Sequence, residues 1–207
     1  MTVKTKENPN PRRSDREFRE FSFEIRAAAP AEDAAEEMIV EGYACRFNEA
    51  TVLWEYDGKE YKEQVDDRAL SEADMSDVIF NYNHGGKVVA RTRNKTLELK
   101  VDKKGLFVRA KLDGTEEGRK LFAEIKGGYI DRMSYAYTVK ESAYDSENRT
   151  RTIRKIKKVY DVSAVDIPAY DTTSISARSA FEVEIEKEMK AAEAAERRRK
   201  LLLQTYL

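Results

Sequence analysis

At 207 residues, with 41% hydrophobic and 10% aromatic side chains, the chain can bury one compact core and carry tails but is short for two domains. Its 38 Lys and Arg nearly cancel 39 Asp and Glu, leaving a net charge of −1, and no basic run is interleaved with aromatics, so a general nucleic-acid binder is disfavoured. One cysteine, Cys45, excludes an intramolecular disulfide and a thiolate metal cluster, and one histidine, His84, is the sole imidazole available for chemistry near neutral pH.

In chain order, residues 1–19 are rich in Lys, Arg, Asn and Pro and read as a disordered arm. They lack the apolar run of a signal peptide, and no window approaches a membrane span, which predicts a soluble protein that stays where it is made. From Phe21 the pattern alternates: Phe21, Phe23 and Ile25 against Ser22, Glu24 and Arg26, a strand. After an Ala/Glu/Pro connection, Met38 to Phe47 forms a second strand carrying Cys45. Asp57-Gly58, between Trp54/Tyr56 and Tyr61, predicts a hairpin turn. Val78 to Tyr82 is a buried strand with His84 just past its end, and Gly85-Gly86 reads as the turn that follows.

Leu97 to Leu112 predicts a hairpin turning at Asp102-Lys103-Lys104-Gly105. Thr115 is placed to cap a helix whose first turn carries Glu116 and Glu117, whose stripe is Leu121, Phe122 and Ile125, and which Gly127-Gly128 ends. In the strand Arg132 to Val139, Met133, Tyr135, Tyr137 and Val139 share one face while Ser134, Ala136 and Thr138 share the other. A basic strand leads on to Val159–Val165, closed by Pro168-Ala169-Tyr170. Residues 181–207 are dominated through Lys200 by Glu, Lys, Arg and Ala without Gly or Pro, a long charged helix ending in Leu201-Leu202-Leu203. The chain is thereby divided into an arm (1–19), a β-rich α+β domain (20–180) and a charged helix (181–207).

Few residues are equipped for chemistry. One His and one Cys leave only carboxylates for a metal, and no Asp-x-Asp-x-Asp-Gly loop occurs, so neither metal nor other cofactor is expected. Gly85-Gly86-Lys87 lacks the first glycine and the following Ser or Thr of a phosphate loop. A serine hydroxyl needs a base to become a nucleophile, and imidazole suits that role. His84 sits at a strand end in a polar, glycine-rich context, and Ser134 on a face of small residues that leaves room for a substrate backbone. Lone serines and histidines are more often filler or caps, so pattern alone leaves this pair open beside Cys45, a competing nucleophile that also reads as a small buried hydrophobe.

The order of short motifs is more specific. Gly42-Tyr43-Ala44 with Phe47-Asn48, Asn83-His84, Thr96-Leu97 through Gly105-Leu106, Met133-Ser134-Tyr135-Ala136-Tyr137, and Asp161-Val162-Ser163 with Pro168-Ala169-Tyr170 resemble the HK97-type prohead serine proteases, themselves distantly similar to the herpesvirus maturation protease. That resemblance covers residues 20–180 and implies a β-barrel-like core with surrounding helices. It maps His84 to the general base and Ser134 to the nucleophile, with the 50-residue separation typical of the group. Where the family has Asn-His-Asp and Met-Ser-Phe-Gly-Phe, this chain has Gly85 after the histidine and aromatic Tyr135 and Tyr137 around Ala136. Asp161 stands where relatives often have Glu and is the expected third catalytic residue, with Asp166 as runner-up; the Pro168-Ala169-Tyr170 turn is the expected source of oxyanion donors.

The implied activity is a serine endopeptidase that cleaves the scaffolding segment of the phage major capsid protein, and itself, during prohead maturation. The implied place is the bacterial host cytoplasm, inside the assembling prohead. The implied partners are the capsid protein and its scaffolding segment, with the portal and a second copy of the chain as further candidates and neither nucleic acid nor membrane. The C-terminal helix would be a packaging or scaffold-contact element, open to removal by the enzyme itself, or equally a solvated helix with no partner. The alternative is a catalytically inactive scaffold or assembly protein of the same fold.

Overall fold

The computed structural model describes residues 16–28, 37–166 and 175–205. Ten strands and two long helices follow in the order β1 (Glu17–Ala27), β2 (Ile39–Arg46), β3 (Thr51–Tyr56), β4 (Lys59–Val65), β5 (Ile79–Tyr82), β6 (Gly85–Arg91), β7 (Leu97–Val101), β8 (Gly105–Lys111), α1 (Glu116–Lys126), β9 (Arg132–Asp145), β10 (Thr150–Val165) and α2 (Ile175–Thr205). The strands hydrogen-bond in the order β3-β4-β10-β9-β1-β2-β8-β7, with β5 on β10 and β6 on β5. The β-rich α+β class is as expected. Among the described residues the strands form no closed ring.

β10 organises the sheet. It pairs antiparallel with β9 along nearly its whole length, while its other edge takes two parallel partners in tandem: β4 at Thr150–Ile153 and β5 at Asp161–Ala164. Its buried residues Ile153, Ile156, Val159 and Val162 recur every third position, a spacing that a flat period-2 strand would scatter over both faces. Register shifts absorb the mismatch. Ile156 then faces Val139, Val159 faces Tyr137, Val162 faces Tyr135 and Ala164 faces Met133, so all the large apolar groups stay on one side. The shift between Val159 and Asp161 puts Asp161 opposite Ala136 and Ser163 opposite Ser134, which gathers the polar residues on the other side.

The turns follow the local sequence. Asp57 (φ 52) and Gly58 (φ 67) form the β3–β4 hairpin, the left-handed pair that a two-residue loop requires. The Asp102 carboxylate accepts the backbone N–H groups of Lys104 and Gly105, fixing the β7–β8 turn. Thr115 caps α1 by accepting the Gly118 N–H; Leu121, Phe122 and Ile125 enter the core, and Gly128 leaves the helix at φ 74.

Three boundaries differ from expectation. β1 begins at Glu17, inside the arm expected to be disordered, because Arg151 pairs with the Glu17 carboxylate through both terminal nitrogens at 2.7 and 3.0 Å. α2 begins at Ile175 rather than 181, and it is held by Phe181 and Ile185 packing on Tyr61 with Leu53, Trp54 and Tyr144. The turn after β5 is Asn83-His84, not Gly85-Gly86: Tyr82 pairs with Gly85, and both turn residues have positive φ, 47 and 53.

Candidate active site

Three strands and one turn build the site. β5, β10 and β9 are adjacent, and the register aligns Asn81 with Ser163 and Ser163 with Ser134 in one cross-strand row, with Asp161 displaced along β10 on the same face. The turn after β5 then carries His84 back over this row. His84 Nε2 lies 2.6 Å from Ser134 Oγ, and His84 Nδ1 lies 2.5 Å from Asp161 Oδ1. With Asp161 ionised, Nδ1 carries the proton and donates to the carboxylate, which leaves the Nε2 lone pair facing the serine hydroxyl.

Burial is graded along this chain of groups. Ser134 is fully buried, whereas the side chains of Asp161 and His84 keep 7% and 12% exposure. The small-residue face around Ser134 is therefore not open as the alternation suggests, because the imidazole of His84 lies against it. The large neighbours point into the core: Tyr135 and Tyr137 stack at 4.6 Å, and the Tyr137 hydroxyl donates to Glu63, itself buried and held by Arg151.

Asp166 takes a different place. It accepts from the Tyr82 hydroxyl at 2.6 Å and from Asn83 Nδ2 at 3.0 Å, bracing the turn that presents His84. The hydrogen bond to that carboxylate pushes the Tyr82 phenol up from its ordinary value. Cys45 lies on β2, fully buried, and burial pushes its thiol up to about 12, so it stays a protonated, inert core group. Among the described residues no cluster of His, Cys, Asp or Glu is arranged to hold a metal ion. The Pro168-Ala169-Tyr170 turn lies outside the described residues.

A cleft of about 870 Å³ runs between the β5–β6 hairpin and α1, touching Asn83 and Gly85 on either side of His84. Val89, Leu121 and Ile130 give it an apolar floor. No helix among the described residues is long and apolar enough to cross a membrane. Sequence reasoning missed Ser163 and Asn81, whose signal was available: both are polar residues expected within buried strands, a placement that calls for a hydrogen-bond partner.

The fold and this arrangement define a β-rich protein with a serine–histidine–aspartate array. The family model of the caudovirus prohead serine proteases matches residues 22–189, and the chain belongs to that family. Among solved structures, the bacteriophage T4 capsid assembly protease gp21 aligns with a TM-score of 0.48 at 15% identity, covering 74% of this chain and 98% of the T4 protein. No curated protein matches the sequence.

Proposed function

We propose that this chain is a serine endopeptidase in which Ser134 is the nucleophile, His84 the general base and Asp161 the residue that orients and charges the imidazole. The observation that carries the reading is the placement of one imidazole between Asp161 and Ser134, at 2.5 and 2.6 Å. In the first step the Ser134 oxygen attacks the scissile carbonyl as its proton passes to Nε2, and Asp161 stabilises the imidazolium through the Nδ1–H bond. The imidazolium then gives that proton to the departing amine, leaving an acyl-enzyme. Water, deprotonated by the same nitrogen, releases the acyl group.

The substrate is the scaffolding segment of the major capsid protein, and the chain also cleaves itself. Membership of the prohead protease family supports this choice, and a cleft lies beside the turn that carries His84. Co-expression with the capsid protein tests it. The capsid band should shorten with wild type and stay full length with Ser134→Ala; a capsid band of full length in both would favour an inactive assembly protein.

A further inference from the structure

The catalytic roles proposed above leave the buried hydroxyl of Ser163 unused. Ser163 lies on β10 between Asn81 of β5 and Ser134 of β9, and it is fully buried. Its Oγ accepts the backbone N–H of His84 at 3.2 Å and lies 3.1 Å from His84 Nδ1 and 3.1 Å from Asp161 Oδ1. It also makes a short hydrogen bond with the side-chain carbonyl of Asn81, itself buried.

A hydroxyl offers one proton and two acceptor sites. The His84 N–H takes one acceptor site, and the proton has two acceptors within reach, Asn81 Oδ1 and Asp161 Oδ1. Two properties of His84 make this contact matter. The residue sits at φ 53, a left-handed conformation that non-glycine residues seldom adopt, and it lies in the turn between β5 and β6. Its backbone is thus anchored by Ser163, while its ring nitrogen and the carboxylate it meets are both within 3.1 Å of the same hydroxyl.

We propose that Ser163 is a positioning residue for acylation: one hydroxyl fixes the His84 backbone and the Asp161 carboxylate in a common frame, so that Nε2 stays directed at Ser134 Oγ. The role rests on the catalytic reading of Ser134, His84 and Asp161. Asn81 completes the frame as the second acceptor of that one proton, which its Oδ1 shares with Asp161 Oδ1.

The test compares wild type, Ser163→Ala, Ser163→Thr, Asp161→Asn and the Ser163→Ala/Asp161→Asn double variant by fluorophosphonate labelling of Ser134. Loss of alignment should slow the Ser163→Ala labelling step roughly 10²-fold without weakening reagent binding, and Thr, which keeps the hydroxyl, should restore most of the rate. The double variant should label no more slowly than Asp161→Asn alone, because both act through His84. A second readout does not depend on activity: the chain has one histidine, so ¹⁵N-histidine labelling gives a single set of ring signals. The Nδ1–H signal should be sharp in wild type and in Ser163→Thr, and broadened by exchange in Ser163→Ala. A Ser163→Ala protein that labels at the wild-type rate with an unchanged ring signal overturns the role of Ser163 alone. A wild type that labels no better than Ser134→Ala overturns the protease reading, and the acylation role of Ser163 with it.

Discussion

Asp161 and Ser134 stand diagonally across two paired strands, Asp161 opposite Ala136 and Ser134 opposite Ser163 on the same face of the sheet. Diagonal neighbours of this kind are roughly 7–8 Å apart, a gap that one imidazole with a hydrogen bond at each end fills. His84 occupies it. The register shift at the neighbouring residues of β10 creates the diagonal: without it Asp161 would face the core with Tyr135 and Tyr137.

Removing the Asp161 charge while keeping its shape should leave the fold intact and the chemistry poor. We expect Asp161→Asn to slow acylation on the order of 10³- to 10⁴-fold, because the amide favours the tautomer that leaves Nε2 protonated. Labelling kinetics with circular dichroism as a control for folding would check this. Asp161→Glu should recover only part of the rate, since the extra methylene pushes the carboxylate into the Nδ1 position.

Cys45 should behave as core, not as a nucleophile. With burial pushing its thiol up to about 12, iodoacetamide near pH 8 should leave the native protein unmodified and alkylate it fully once unfolded. Cys45→Ala should retain fluorophosphonate labelling, and rapid alkylation of native protein would contradict the placement of this strand.

A tight backbone approach lies beside it. A Cβ on Gly105 would fall 1.9 Å from the Cys45 carbonyl oxygen, contact with rigid backbone across the β2–β8 pair. Gly105→Ala should therefore destabilise the domain by about 1–3 kcal/mol or more, read by denaturant melts. A loss of a few tenths would mean that the two strands are not so closely apposed.

Acid should weaken one surface tie. Lys158 and Ser76, hydrogen-bonded to Asp74, hold its carboxyl well below the usual carboxylate range. A depressed folded value adds stability above the unfolded value, and that stability is lost as pH falls through the folded one. The pair is partly solvated, with Asp74 45% exposed, so the contribution at neutral pH is at most about 1 kcal/mol. The stability difference between wild type and Asp74→Asn should shrink as pH drops below about 4.

Much of this architecture is legible locally. The Asp102–Gly105 turn, the Thr115 cap and the alternation of β9 announce their elements, because each depends on neighbours in sequence. Two decisive features are not local. The parallel pairing of β5 with β10 brings together residues about eighty positions apart, and only that pairing puts Asn81 beside Ser163. The turn at Asn83-His84 defeats turn statistics, which favour the adjacent glycines; Asp166 bonding to Asn83, and Ser163 to the His84 N–H, hold non-glycine residues at positive φ. The i+3 spacing on β10 is equally opaque, since register shifts rather than helix geometry produce it.

The central claim is that Ser134 is an activated nucleophile. Fluorophosphonate labelling of purified wild type against Ser134→Ala and His84→Ala tests it most directly. Stoichiometric labelling of Ser134 is expected in wild type, none in Ser134→Ala, and a rate lower by at least about 10³-fold in His84→Ala. Wild-type protein that labels no better than Ser134→Ala would contradict it.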